Sequence, residues 1–294
     1  ITTRLVGSEM CIRDRNKGYL KMSLDSRKIE TLITEKRLLV KGPKIVVIGG
    51  GTGLSTMLRG LKYYTSNITA IVTVGDDGGG SGALREDLGM LPPGDIRNCI
   101  LALADTEPLM EDLLQYRFTE GRLKGQSFGN LFLAAMDGVS DNFVGAVQKM
   151  SSVLAVTGKV LPVTLDDMKL MAQLDNGNVV EGESDIPEEA FKQKSKINRL
   201  MIVPEDAKPL EEALQAIKDA DAIVMGPGSL YTSVIPNLLV KGIVSEIKKS
   251  SAYKIYISNV MTQPGETDGF KVYDHIKVPV SYTHLRAHET RSNL

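Results

Sequence analysis

The sequence has no tryptophan, only two cysteines and only three histidines in 294 residues. Cys11 and Cys99 alone cannot build a disulfide framework, which points to the reducing cytoplasm. Neither sign of charge is in excess, with 35 Lys+Arg against 36 Asp+Glu. That balance argues against a nucleic-acid binder, which carries a basic surplus on its domain. No apolar run approaches the roughly 20 residues of a spanning helix. The remaining bulk, 42 % hydrophobic, suits a globular protein with a full-sized core. Glycine is abundant, at 28 residues, and its placement carries most of the information.

The two ends share an unexpected relationship. Codons CTC GTG GGC TCG GAG ATG TGT ATA AGA GAC encode Leu5–Asp14, and their reverse complement translates as Val280–Glu289. Opposite strands of one oligonucleotide at both ends read as translated sequencing adapter, so 1–15 and 280–294 are expected to be foreign to the fold. Setting them aside leaves one cysteine, Cys99, and one histidine, His275. That is too little for a zinc site or a Ser-His-Asp triad. Residues 16–43 form a basic lead-in in which Ile29, Leu32, Ile33 and Leu38 or Leu39 suggest a short amphipathic helix. A single α/β domain is then expected over 44–279, truncated at its carboxyl end.

Within that span, KIVVIGG from Lys44 is a continuous apolar run closed by glycine, the mark of a strand buried on both faces. Leu54, Met57, Leu58 and Leu61 follow at helical spacing. Further strands are expected at Ile68–Val74, Ala222–Met225 and Tyr253–Ser258, with helices across Ile96–Met136, Pro209–Ala220 and Leu230–Lys249. Lys169–Gly182 alternates around Asn176-Gly177 and reads as a β-hairpin. This alternation predicts a doubly wound, mainly parallel, Rossmann-like sheet with a small hairpin excursion.

Four glycine-bearing loops each follow a predicted buried strand. They contain Gly50, Gly51, Thr52 and Gly53; Asp76, Asp77, Gly78, Gly79 and Ser81; Gly226, Gly228 and Ser229; and Asn259, Thr262 and Gln263. In a parallel sheet all four emerge at the carboxyl edge, where such folds bind ligands. Glycine lets backbone N–H groups approach an anion, and a helix N-terminus adds partial positive charge. The set therefore predicts a polyphosphate pocket lined by backbone rather than by basic side chains. GGGTG lacks the Lys-Ser/Thr of a P-loop, and its spacing departs from G-x-G-x-x-G. Asp95 stands at an expected helix start, as N-cap or as functional acid, with Asn98 one turn on. Asn130 either caps its helix or reads a base or sugar. Asp76 and Asp77 are candidate Mg²⁺ ligands beside a diphosphate, with Asp95 near them. Arg85 and Arg97 either clamp phosphate or pair with Glu86 and Asp87.

These motifs resemble the gluconeogenesis factor family, within the superfamily of the 2-phospho-L-lactate transferases of deazaflavin-coenzyme synthesis. The resemblance runs from about Gly42 to His275 through KIVVIGGGTGLS, ITAIVTVGDDGGGSG, LPPGDIRN, SFGNL, GPGSLYTS and NVMTQPGET. Gly80 departs from it, since the family usually has serine there. The resemblance implies a cytoplasmic protein that binds UDP-sugars such as UDP-N-acetylglucosamine, with no required cofactor and no established catalysis. It also implies a role in growth on gluconeogenic carbon and in cell shape, with a protein partner in cell-wall metabolism. Some members carry a membrane segment ahead of a basic linker, so tethering through an upstream segment is an option. A homo-oligomer is the default expectation. The competing expectation is a transferase moving a phospho-lactyl group from a nucleoside diphosphate to a deazaflavin hydroxyl. A nicotinamide dehydrogenase shares the fold, but lone His275 offers it little.

Overall fold

The computed structural model describes residues 11–13, 19–21, 34 and 36–283. Two three-residue strands, β1 (Cys11–Arg13) and β2 (Tyr19–Lys21), pair antiparallel near the amino terminus. Residues 36–40 are helical, with Leu38 exposed and Leu39 half-buried. The other apolar positions of the expected amphipathic helix, Ile29, Leu32 and Ile33, lie outside the described residues.

The α/β body opens with β3 (Ile45–Gly49), α1 (Gly51–Leu61) and β4 (Ile68–Val72). Five helices follow: α2 (Gly79–Leu88), α3 (Gly94–Leu103), α4 (Pro108–Gln115), α5 (Phe128–Gly138) and α6 (Phe143–Val153). Next come β5 (Lys159–Pro162), the excursion β6 (Lys169–Leu174) and β7 (Val179–Glu181), α7 (Asp185–Lys192) and β8 (Ile197–Val203). The chain returns through α8 (Glu211–Asp219) to β9 (Ala222–Met225). A π-helical turn at Leu230–Val234 leads into α9 (Ile235–Leu239) and α10 (Ile243–Lys249). β10 (Tyr253–Tyr256) and α11 (Val272–Thr283) complete the order.

β3, β4, β5, β9 and β10 form one parallel sheet in the order β10-β9-β3-β4-β5. Val47 and Ile48 on β3, Ala70 to Val72 on β4 and Ile223 on β9 are sealed from solvent, as continuous apolar runs require of a sheet covered on both faces. The chain winds from β3 toward β5 and then returns to the other side of β3. Right-handed crossovers in both directions put helices on both faces. Accordingly α1 packs on α3, while α8 and α10 pack together. On α1, Leu54 and Leu58 are fully buried one turn apart. The strand order reverses between β3 and β9, and this switch point opens a crevice at the carboxyl edge.

The hairpin excursion is present: Met171, Ala172 and Gln173 face Glu181, Val180 and Val179. Gly177 has φ of +89° in its turn, a conformation natural to glycine. β8 joins the other side of β6 to make a three-stranded antiparallel sheet. That strand, together with β5, α2, α6, α7 and α11, goes beyond the elements read from the sequence. Asn198 and Arg199 interrupt the alternation of β8, and a register shift lies between Gln173 and Leu174 in its partner. On α5 Leu133 is the sealed residue, Leu131 and Ala134 are half-buried and Ala135 is exposed.

α11 runs across residue 279 with Pro279 inside it, and the Tyr282 hydroxyl accepts a hydrogen bond of 2.7 Å from the Leu200 N–H. Cys99 is sealed in the core, and His275 is buried edge-on against Phe270. No helix among the described residues is long and apolar enough to cross a membrane.

Candidate ligand-binding site

All four glycine-bearing loops leave the carboxyl ends of parallel strands, so the topology brings them to one edge. α1 starts immediately after β3, with Gly50 as N-cap, no side-chain cap and no acid of its own in the first turn. Its leading N–H groups therefore lack a local partner. Gly51 holds φ of +69°, where a side chain is strained. The loop after β9 closes on it. A Cβ on Gly53 would stand 3.0 Å from the Pro227 carbonyl oxygen, and one on Gly228 would stand 3.0 Å from that of Gly50. The first and third loops thus meet backbone to backbone across the switch point, a contact that a side chain at Gly53 or Gly228 would push apart.

The fourth loop fastens the third. Asn259 donates through Nδ2 to the Gly228 carbonyl at 2.8 Å and accepts from its N–H at 3.4 Å. The Ser229 hydroxyl donates to Gln263 Oε1 at 2.8 Å, and Gln263 Nε2 donates to Glu266 at 3.1 Å. Glu266 is buried and accepts from the Tyr231 N–H and the Thr232 hydroxyl. Burial raises its pKa, and those two hydrogen bonds hold it partly down. Asn259, Ser229 and Gln263 are therefore engaged with the loops themselves. Thr52 and Thr262 are exposed and Asn98 is half-buried.

The second loop brings the acids. The Gly78 N–H donates to Asp76 Oδ1 at 3.0 Å. A Cβ on Gly94 would fall 2.6 Å from Asp76 Oδ2 and still closer to the hydroxyl of buried Ser81. The DDGGG and PPGD segments consequently interlock through Gly94. Gly78 is the uncapped N-cap of α2, and Gly79, at φ of +46°, faces open space. Asp77 turns away from the glycine loops: its two oxygens accept from the N–H groups of Glu183 and Ser184, ahead of α7. That leaves Asp77 poorly placed as a metal ligand. Among the described residues no group of three or more His, Cys, Asp or Glu is arranged to hold a metal ion.

Asp95 does not cap its own helix. It sits in the first turn of α3, and its carboxylate reaches the N-terminus of α1, where it accepts from the Gly51 N–H. A Cβ on Gly50 would lie 2.5 Å from Asp95 Oδ2 and 2.7 Å from Thr73 Cγ2. Burial, reinforced by Asp76, raises the Asp95 pKa to about 6. Glu183 escaped the sequence reading because it lies in the turn after β7, far from every glycine motif. Burial and the fields of Asp76, Asp95, Asp77 and Glu266 push its pKa well above the ordinary carboxylate value. Only the folded hairpin excursion reveals that proximity. The Thr73 hydroxyl, buried at the end of β4, lacks a hydrogen-bond partner among the described residues.

The arginines follow neither expected pairing with Glu86 and Asp87. Arg85 reaches across to Asp167, with Nε at 2.8 Å. Arg97 is buried and donates from Nε to Asn130 Oδ1 at 3.1 Å. The Asn130 N–H is itself capped by Ser127 Oγ at 3.2 Å, so this asparagine orients an arginine from the first turn of α5.

The CofD family, described as 2-phospho-L-lactate transferase CofD, matches residues 45–288. The chain belongs to that family. It is 75 % identical over 261 residues to a Clostridium acetobutylicum protein named "Putative gluconeogenesis factor", covering 89 % of this chain and 58 % of that one. A Bacillus subtilis protein named gluconeogenesis factor is 54 % identical over 236 residues, covering 80 % and 73 %. A crystal structure of a UPF0052-family protein from Bacillus halodurans superposes with a TM-score of 0.79 at 52 % identity, covering 83 % of this chain and 77 % of that one. The CofD-family chain described here thus spans somewhat over half the length of its Clostridium acetobutylicum relative.

Proposed function

We propose that the carboxyl-edge crevice binds a nucleotide-sugar, UDP-N-acetylglucosamine or a close relative, and that the protein reads its level as a regulator. The single observation carrying this reading is the glycine-built N-terminus of α1 at the switch point, which no side chain of its own caps and over which Gly228 closes. A diphosphate suits those N–H groups, which supply hydrogen bonds and partial positive charge without a basic side chain. The relatives' shared name supports a role under gluconeogenic conditions. Cytoplasmic location, maintenance of cell shape, a partner in cell-wall metabolism and self-association belong to the same proposal.

Asp95 already occupies the Gly51 N–H, so an incoming phosphate meets either a protonated carboxyl or a charge-balancing cation. Magnesium arriving with a diphosphate keeps most of its ligands from phosphate and water. Asp76 and Asp95 fit that supporting role better than Asp77.

A second reading rests on the acids themselves. Asp95 and Glu183, both with raised pKa, fit proton transfer in a phospho-lactyl transferase, in keeping with the family's description. Incubation with a nucleoside-diphosphate-activated phospholactate and a deazaflavin acceptor separates the two. Binding of UDP-N-acetylglucosamine without turnover supports the regulator; product formation supports the transferase.

A further inference from the structure

Arg97 is a buried cation with an incomplete set of partners. The residue is 8 % exposed, yet no Asp or Glu among the described residues lies within ion-pair distance of it. Only Nε has a hydrogen-bond partner, the Asn130 carboxamide oxygen. The terminal nitrogens, which carry the donors suited to a bidentate oxyanion, have none among the described residues. Neither terminal nitrogen is among the sealed, unpartnered side-chain atoms of the described residues, so both reach solvent and are open to a ligand.

The surroundings keep the side chain in place. A Cβ on Gly129 would stand 2.9 Å from Arg97 Cδ and 2.5 Å from the Leu114 carbonyl oxygen, so that glycine is the gap through which the arginine passes. α5 begins beside it with no acid in its first turn. Arg117 pairs its backbone with Ser127 at the same helix start. Arg117 and Arg97 lie in each other's field, as Asp95 and Asp76 lie in that of Arg97.

We propose that Arg97, oriented by Asn130, is the ligand of an oxyanion subsite at the N-terminus of α5, taking a phosphoryl group. The subsite is distinct from the Gly51 N-terminus and stands apart from which nucleoside is bound. It deepens the nucleotide-sugar reading by giving the ligand a second phosphoryl anchor, and rests on that reading only for the identity of the natural ligand.

The test uses the whole chain with inorganic pyrophosphate and, separately, UDP-N-acetylglucosamine. Calorimetry measures affinity, and thermal denaturation measures stability with and without each probe. Arg97→Gln is expected to weaken pyrophosphate binding at least tenfold while leaving the unliganded melting temperature unchanged or higher. Arg97→Lys keeps the charge but loses the planar fork, and is expected to fall between. If Arg97→Gln fails to fold, Arg97→Lys and Asn130→Ala carry the test, each expected to weaken binding several-fold. Pyrophosphate binding that depends on Arg97, without UDP-N-acetylglucosamine binding, retains the subsite and discards the nucleotide-sugar reading. Unchanged affinity in folded variants with a lowered melting temperature makes Arg97 a structural strut and overturns the proposal. Absence of pyrophosphate binding by the wild-type chain overturns it too.

Discussion

The two sides of the carboxyl-edge crevice are made of opposite materials. On the β3–β9 side Gly53 meets Pro227 and Gly228 meets Gly50 backbone to backbone, with little room for a side chain. Helix α1 begins there without a cap of its own. On the β4 side the surface is carboxylate, where the field of Asp76 adds to burial in raising the pKa of both Asp95 and Glu183. Asp95 bridges the two by accepting from the Gly51 N–H. The glycine side is suited to an anion, whereas the acidic side needs a proton or a cation before an anion can approach. Function and stability therefore pull against each other at Asp95.

Breaking the glycine side should have the largest effect. Gly51→Val forces a β-branched residue into φ of +69° and covers the leading N–H groups of α1. Nucleotide-sugar affinity is expected to fall by roughly 100-fold, about 3 kcal/mol. The backbone strain costs about 1–3 kcal/mol of stability. Calorimetry and urea denaturation measure the two separately.

On the acidic side, Asp95→Asn should stabilise the protein near neutral pH. The folded carboxyl has a pKa of about 6 against an ordinary aspartate value of 3.8. Between about pH 4 and 6 the folded state keeps a proton that the unfolded state has released, so stability falls as pH rises through that window. The full penalty is present above it, at most about 3 kcal/mol. Denaturation series from pH 4 to 8 should show Asp95→Asn losing most of this slope while binding weakens. An unchanged slope assigns the pH dependence to other groups, Glu183 first.

Asp76 and Asp77 sharpen the contrast within one loop. Asp77→Ala removes two backbone hydrogen bonds ahead of α7 and should cost about 1–3 kcal/mol. Because Asp77 faces the excursion rather than the glycine loops, affinity should change less than threefold. Asp76→Asn, at the Gly94 contact, should instead change the magnesium dependence of binding. Asn259→Ala should free Gly228 and weaken binding by about threefold to tenfold, up to about 1.4 kcal/mol, well short of the Gly51→Val loss.

The same contrast explains what the sequence could disclose. The glycine side is local: a buried apolar run, a glycine cluster and a helical pattern lie within KIVVIGGGTGLSTML, so strand, turn and helix are legible together. The parallel order follows from strand-helix alternation, and with it the convergence of the four loops. The acidic side is not local. Glu183 reaches it only because the hairpin excursion folds back over the second loop, and Asp77 is diverted by the same excursion. Asn130 was legible as a polar residue at a helix start, but its engagement with Arg97 depends on α3 and α5 meeting through Gly129. Asn259 and Gln263 likewise look ligand-facing in sequence. Their amides turn out to staple one loop to another, since backbone in a glycine loop needs partners wherever no ligand supplies them.

The central claim is that the uncapped glycine edge holds the diphosphate of a nucleotide-sugar. Calorimetric titration of UDP-N-acetylglucosamine into the chain, with and without magnesium, tests it most directly. A single site of micromolar affinity, about 8 kcal/mol, is expected, lost in Gly51→Val and retained in Asp77→Ala. Absence of binding under either condition, or equal binding by Gly51→Val, contradicts it.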